Sequence, residues 1–314
     1  MRLPAHSGRL PAIAGRVVLS TGVHHLDAWK RRWGVGQWAA FFETQELPVT
    51  SRSKLLLRGL EAAKGELLSP KELSSIVLLD PLLCLRLLRE AERTRSHRLG
   101  HETTTALAAI MQLGVDEFSA LLLASREIEE ANIGLLEVEA RATVAAQVAE
   151  RWASGRMDLN PEEVAVAALL ADTGELLLWV YGPELPHAAK EELLSGRAMR
   201  SSQAQIEACG FDFKQLTMRC AELWKLPSLL VQLLRGVDTP RANLTRICSN
   251  AARHVVESTA TSNLALASDL VEARKLMPGV SLGWLVDGLV MLPDEQKEYL
   301  LANADELWLS QSGG

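Results

Sequence analysis

One short window of this sequence concentrates arginines at a spacing that could bind an anion. Arg86, Arg89 and Arg93 lie three and four residues apart, so on a helix they share one face. Guanidinium groups hold carboxylates or phosphates through paired hydrogen bonds, which makes this face a candidate contact for an acidic partner or a phosphate-bearing ligand. The alternative is a solvated face with Glu90 and Glu92 as intrahelical partners. No aromatic residue interleaves these arginines, so a platform for single-stranded nucleic acid is not supported.

Asp172 is the second candidate, in the segment Ala171-Asp172-Thr173-Gly174-Glu175. Its structural interpretation is an N-cap whose carboxylate accepts backbone N–H bonds at the start of the following helix. Its functional interpretation is a hydrogen-bonding group in a residual pocket. The cap is the preferred prediction.

Other catalytic patterns are missing from the sequence. It contains no G-x-S-x-G, H-E-x-x-H or Walker motif. Its four cysteines, at positions 84, 209, 220 and 248, form no C-x-x-C pair and lie among leucines and alanines. They are predicted to be reduced core residues of a cytoplasmic protein.

The composition favours an all-α fold. Hydrophobic residues make up 48% of the 314 residues but aromatic residues only 5%, and the abundant leucine and alanine favour helix. The net charge of −6 disfavours a surface that follows nucleic acid. An unbroken apolar run at 164–171 is far shorter than the roughly 20 residues that cross a bilayer, so no membrane insertion is predicted.

Helix boundaries are marked by capping patterns. The segments 69–72 and 160–163 each combine a polar cap, a proline and a glutamate, and Asp80-Pro81 also marks a helix start. Loss of the Asp80 cap is expected to cost about 1 kcal/mol. Asp116 is predicted to cap a helix over 117–130, and one further helical run is predicted over 203–224.

Both ends of the chain are predicted to be extensions. Residues 1–46 carry Trp29 and Trp33, four apart, which are expected to anchor this segment onto the following domain. Residues 258–314 are predicted to form a C-terminal helical extension, because Pro-Asp-Glu at 293–295 is a natural helix start.

The order of several motifs resembles a known family. The motifs are Leu47-Pro48, Leu55-Leu56-Leu57, Glu72-Leu73, Asp80-Pro81, Arg86-Leu87-Leu88, the run 106–114 ending in Met-Gln-Leu-Gly, the run 167–176, and Trp224-Lys225-Leu226-Pro227. In this order they resemble the HDOD domain (HD-related output domain) of bacterial signalling proteins, over about 47–254. The resemblance implies an all-α bundle of two helical subdomains, 47–130 and 131–257, the second related to the HD phosphohydrolases.

The resemblance also bears on metal chemistry. In the related hydrolases an early histidine, a His-Asp pair and a later carboxylate hold a metal that activates water. This sequence has Ala171-Asp172 at the pair and Ala140-Arg141 at the early histidine. Alanine cannot ligate a metal and an arginine repels it, so no metal and no other cofactor are expected. The family fold implies instead that Arg141 could pair with Asp172 in a residual pocket.

These observations predict a non-enzymatic bacterial signal-transduction or scaffold protein that acts by binding a protein partner. The arginines 86, 89 and 93 are the candidate partner contact. Two alternatives remain at this point. One is a divergent metal-dependent nucleotide phosphohydrolase, and the other is a module that senses a small nucleotide without turnover.

Overall fold

Helices joined by short turns account for the regular structure of this chain. The computed structural model describes residues 29–95, 102–128, 132–257 and 262–312. Within these ranges the only β-structure is an isolated bridge between Val49 and Glu127. The prediction of an all-α fold is confirmed.

Six α-helices precede residue 125 in the described ranges. They are α1 (Val35–Glu43), α2 (Ser51–Lys64), α3 (Pro70–Val77), α4 (Pro81–Thr94), α5 (Ala106–Leu113) and α6 (Val115–Ala124).

Eleven helices follow in the described part of the chain. They are α7 (Ile133–Ala153), α8 (Pro161–Leu169), α9 (Thr173–Tyr181), α10 (Glu184–Leu194), α11 (Ser201–Cys209), α12 (Phe213–Leu223), α13 (Ser228–Arg235), α14 (Pro240–Glu257), α15 (Ser262–Leu276), α16 (Leu282–Asp287) and α17 (Asp294–Ser312).

Polar caps start several of these helices as the sequence predicts. Ser69 and Glu72 form a reciprocal capping box at α3. The carboxylate of Asp80 accepts the Leu83 N–H and so caps α4. Its other oxygen accepts hydrogen bonds from the Thr50 N–H at 2.8 Å, the Thr50 hydroxyl at 3.0 Å and the Ser53 hydroxyl at 2.8 Å. Asp80 therefore joins the starts of α2 and α4 as well as capping one of them.

Two predicted helix boundaries are wrong. The Asp116 side chain does not cap a helix: it lies in the first turn of α6, whose N-cap is Gly114, and that helix ends at Ala124. The predicted run over 203–224 is two helices, because Gly210 with φ +82° ends α11 and the Asp212 carboxylate caps α12. A left-handed glycine and a new cap stop one helix and start another within three residues.

The N-terminal aromatic residues pack onto the domain mainly through α1. Trp38 and Phe42 are fully buried, and Trp33 contacts Trp38 edge-to-face with ring centroids 5.1 Å apart. Trp29 contacts Trp33 but is 57% exposed. The predicted anchoring role therefore fits Trp33, whereas the larger buried contribution comes from Trp38 and Phe42.

Helix α7 lies at the centre of the second half, packed against α8, α9 and α14. Its Trp152 donates an indole N–H bond to the Leu285 carbonyl at 2.9 Å, which fixes α16 against it. A side chain at Gly288 would collide with the Trp152 ring. The C-terminal helices are thus packed onto the same core.

The most apolar stretch of the described chain is interior. Pro161–Tyr181 has the length and hydropathy of a membrane span, but it consists of two helices, and 72% of its apolar window is buried within the fold. The four cysteines are buried and unpaired, as predicted. Burial raises the pKa of Cys209 and Cys220 to about 12, so neither is a thiolate nucleophile near neutral pH.

Candidate functional site

The start of α9 is held against its neighbours by an unusually close approach. A Cβ on Gly174 would lie 2.4 Å from the Phe213 carbonyl oxygen and 2.9 Å from the Thr217 nitrogen of α12. The Gly174 N–H also donates to the Thr217 hydroxyl at 2.9 Å. Only glycine permits this contact, and the contact fixes the start of α9, which holds the N-cap residue Asp172 and the first-turn residue Glu175 beside α7.

Arg141 of α7 contacts both of those carboxylates. Its Nε donates to Asp172 Oδ2 at 2.8 Å and its Nη2 donates to Glu175 Oε2 at 2.7 Å. Its Nη1 lies 3.7 Å from Glu257 Oε1 at the end of α14. Arg141 is buried and the carboxylates of Asp172 and Glu175 are mostly buried. These four residues are called the Arg141 cluster below.

The pKa values of the two carboxyl groups nearest Arg141 shift in opposite directions. Burial raises the pKa of Asp172, but Arg141 and Arg253 outweigh burial, so the net pKa of Asp172 is lowered. For Glu175, burial and the neighbouring Asp172 charge outweigh Arg141, and its pKa is raised. Burial alone would lower the pKa of Arg141, but the two carboxylates raise it, so this guanidinium stays charged.

The preferred prediction for Asp172 is therefore wrong. Asp172 occupies the N-cap position of α9, but its side chain makes no capping hydrogen bond. The carboxylate turns instead to Arg141, where both partners of the hydrogen bond are charged and the Nε–Oδ2 distance is 2.8 Å. The structure brings Arg141 and Asp172 together, which is the alternative that the family resemblance implies.

A separate cavity of about 570 Å³ lies between the end of α1, the outer face of α4 and the turn after α12. It is called the Arg89 groove below. Its lining residues are Glu43, Gln45, Glu46, Leu47, Arg86, Arg89, Glu90, Glu92, Arg93, Arg95, Leu121, Leu223, Trp224 and Lys225.

Two of the three candidate arginines in this groove have carboxylate partners. Arg86 donates through Nη1 to the Leu47 carbonyl at 2.8 Å and to Glu46 at 3.1 Å. Arg93 donates to both carboxylate oxygens of Glu90, the intrahelical partner that its spacing suggests. Both guanidinium charges are therefore compensated by a neighbour.

Arg89 differs from them. Its guanidinium carbon lies 4.5 Å from the centroid of the Trp224 ring, and its Nη2 donates to the Glu43 carbonyl at 3.2 Å. In the described ranges Arg89 forms no ion pair with a carboxylate. Lys225, next to Trp224, is exposed, has φ +53° and likewise has no ion-pair partner in the described ranges.

Comparison with known protein families matches the HDOD domain to residues 50–240, more than half of the chain. The chain belongs to the HDOD domain family. The family is related to the HD proteins and associated with signal transduction. The resemblance found in the sequence is confirmed, and the matched residues 50–240 lie within the predicted 47–254.

Solved structures share the HDOD fold at low sequence identity. A virulence factor from Campylobacter jejuni subsp. jejuni superposes with a TM-score of 0.65 at 18% identity, covering 84% of this chain and 98% of that chain. The MmoQ response regulator from Methylococcus capsulatus str. Bath superposes with a TM-score of 0.55 at 21% identity, covering 82% and 98%. At these identities the likeness concerns the fold alone. No curated protein matches the chain.

The Arg141 cluster of this HDOD domain does not fit a metal centre. A permanent cation lies between Asp172 and Glu175, and it would repel a divalent metal there. Imidazole is absent from the cluster. Among the described residues no group of three or more His, Cys, Asp or Glu side chains is arranged to hold a metal ion.

Sequence reasoning missed several residues of these two sites. Glu175 could have been found, because it lies one helical turn after Asp172 and shares its face. Glu257 and Lys225 carry no comparable signal. Glu139 of α7 was also missed: it is 8% exposed, one of its carboxylate oxygens has no hydrogen-bond partner among the described residues, and burial raises its pKa to about 7.

Proposed function

We propose that this HDOD protein is a non-enzymatic signalling or scaffold protein that acts in the cytoplasm by binding a protein partner. The observation that supports it best is Arg141, whose guanidinium bonds to Asp172 and Glu175 where the related hydrolases would bind a metal. The carboxylates that could have served as ligands are held by a side chain instead.

Physical chemistry favours a structural role for this cluster. An arginine does not deprotonate in proteins, so its charge cannot be removed to admit a metal. Expelling its side chain would leave a buried cation without partners, which is strongly unfavourable. The cluster therefore ties α7, α9 and α14 together and offers no activated water for hydrolysis.

Metal content and hydrolysis test the non-enzymatic part of the proposal. The full chain would be incubated with Mn²⁺ or Zn²⁺, dialysed and examined by elemental analysis, and its turnover of bis(4-nitrophenyl) phosphate measured. We expect metal far below one ion per chain and no turnover. Near-stoichiometric metal, or metal-dependent turnover, that disappears in Asp172→Ala but persists in the exposed control Asp116→Ala would overturn the proposal.

Partner binding tests the other part. Affinity capture from the native cell should return a specific protein, and its binding should survive Asp172→Ala in folded protein because the cluster is not the contact. Calorimetry with nucleotides provides the competing result. Saturable nucleotide binding without turnover, and no specific protein partner, would replace this function with nucleotide sensing.

A further inference from the structure

Arg89 presents an unused hydrogen-bonding edge to the groove. Its guanidinium carbon lies over the Trp224 ring, and one Nη2 hydrogen is donated to the Glu43 carbonyl, which leaves Nε, Nη1 and the second Nη2 hydrogen without a described partner. Nη2 shares one two-donor edge with Nε and the other with Nη1, so one of these edges remains complete. Stacking on an aromatic ring holds a guanidinium by its face and leaves its in-plane N–H groups available. That geometry suits a pair of parallel bonds to a carboxylate.

The residue after Trp224 adds a second cation under backbone strain. Lys225 is the only non-glycine residue with positive φ in the described ranges. A side chain in the left-handed region costs roughly 1–2 kcal/mol. Here it belongs to the left-handed turn that ends α12, in which the Leu226 N–H donates to the Ala221 carbonyl at 3.0 Å. This turn places Lys225 on the wall of the same cavity.

Buried donors near the groove also lack acceptors. Trp224 is 7% exposed, and neither its indole Nε1 nor the Nε of Arg86 has a hydrogen-bond partner among the described residues. Unpaired buried donors are rare in native proteins. Both atoms are buried, so neither is presented to a ligand in the groove, and the accessible donors are those of Arg89 and Lys225.

The charges of the lining residues indicate how much negative charge a ligand in the groove should carry. Glu46, Glu90 and Glu92 pair with Arg86, Arg93 and Arg95. The remaining lining charges are Arg89, Lys225 and the carboxylate of Glu43. One positive charge is left over. A nucleic acid or a polyphosphate would meet four carboxylates, whereas a single carboxylate balances the groove.

We infer that the Arg89 groove is a docking site for one aspartate or glutamate carried on a segment of a partner protein, held by the Arg89 guanidinium and the Lys225 ammonium. This inference rests on the proposed function and gives the chemistry of the partner. Arg86 and Arg93, predicted as contacts from sequence, shape the groove through their own carboxylates.

A displayed library of random peptides tests the inference on the full chain. Enriched peptides should share one acidic position, and changing that residue to its amide should raise Kd about tenfold or more, because a charge-assisted paired bond is lost. Arg89→Gln should raise Kd by a similar factor. The two changes combined should raise it little further, since they remove the same interaction.

Arg197→Gln is the matched control, because Arg197 is likewise bonded to both oxygens of a carboxylate, that of Glu192, but does not line the groove, and it should leave Kd unchanged. No enrichment, enrichment without a shared acidic position, or unchanged binding to folded Arg89→Gln would overturn the inference. Inorganic phosphate bound more tightly than the peptides, through Arg89, would also overturn it and assign a phosphate ligand. A captured partner that still binds Arg89→Gln would leave the proposed function standing while this assignment fails.

Discussion

Arg141 and Arg89 show how one residue type serves two purposes in this fold. Both lie on helices and are at least partly buried, and both contact groups on other helices. Arg141 is surrounded by carboxylates from two other elements, whereas Arg89 rests on an indole ring and the end of α1. Among the described residues, carboxylates are bonded to the guanidinium of Arg141 but none is bonded to that of Arg89.

The difference follows from what each environment supplies. Carboxylates neutralise Arg141 but depend on it in return, because buried negative charges need a cation. An aromatic face and a helix C-terminus stabilise the charge of Arg89 only in part. Binding of an external anion can therefore still stabilise the charge of Arg89, whereas the charge of Arg141 is already stabilised by its own carboxylates.

The largest expected effect is the loss of Arg141. Arg141→Met keeps an unbranched apolar stem but leaves Asp172 and Glu175 without their cation, so the free energy of unfolding should fall by about 3–5 kcal/mol. Urea denaturation measures it. The matched control is Arg93→Met, which removes an exposed intrahelical partner and should leave the midpoint unchanged. Equal midpoints for the two variants would show that the cluster does not hold α7 and α9 together.

The buried carboxyl group of Asp80 accepts four hydrogen bonds. Asp80→Ala removes the α4 cap, worth about 1 kcal/mol, and also leaves buried donors of Thr50 and Ser53 without their acceptor, at about 1–3 kcal/mol for such groups. The free energy of unfolding should therefore fall by about 3 kcal/mol, more than the cap alone suggests. Calorimetric melting checks this, with the exposed Asp116→Ala as control. A loss no larger than the cap would mean that the bonds from α2 contribute nothing.

The sequence predicts local features of this fold better than contacts between distant segments. Capping at Ser69 and Asp80 depends on residues within one turn, and both predictions hold. The role of Asp172 was predicted wrongly because the competing partner, Arg141, lies on another helix. The second function of Asp80, joining α2 to α4, was missed for the same reason. The family resemblance supplied the Arg141–Asp172 pairing, which capping rules alone could not.

Glu139 lies two residues before Arg141 but has no cation bonded to it. Burial, and to a smaller extent Asp80, raises its pKa to about 7, while Arg52 opposes them. A raised carboxyl pKa destabilises the fold as pH increases from about 4.5 to about 7, because the folded protein holds the proton more tightly than the unfolded chain.

Glu139→Gln should remove that penalty. The variant should gain stability relative to the parent protein between pH 5 and pH 8, by roughly 1–2 kcal/mol after allowance for partial solvation. Urea denaturation at a series of pH values measures the gain. The exposed Glu298→Gln should show no such trend. A stability difference that does not change with pH would indicate that Glu139 is ionised throughout.

Removal of Arg89 should cost much less stability than removal of Arg141. Arg89→Gln loses stacking on Trp224 and one bond to the end of α1, together about 1 kcal/mol, and leaves no buried carboxylate unpaired. Urea denaturation beside Arg141→Met makes the comparison direct. A loss as large as that of Arg141→Met would make Arg89 a structural residue and remove the distinction between the two sites.

Substitution of Lys225 should change the free energy of unfolding least, and it separates an effect on binding from an effect on stability. Its φ of +53° is a conformation that glycine adopts without strain, so Lys225→Gly relieves the backbone. Glycine also increases the entropy of the unfolded chain, which offsets part of that gain. We expect the folded protein to be unchanged or more stable by about 0.5 kcal/mol, measured by urea denaturation, while binding of the acidic peptides weakens.

Lys225→Ala is the control: it keeps the strain, loses the same cation and should weaken binding equally without the gain in stability. If Lys225→Gly destabilises the fold, the left-handed turn depends on contacts of the lysine side chain, and its strain cannot be attributed to the groove.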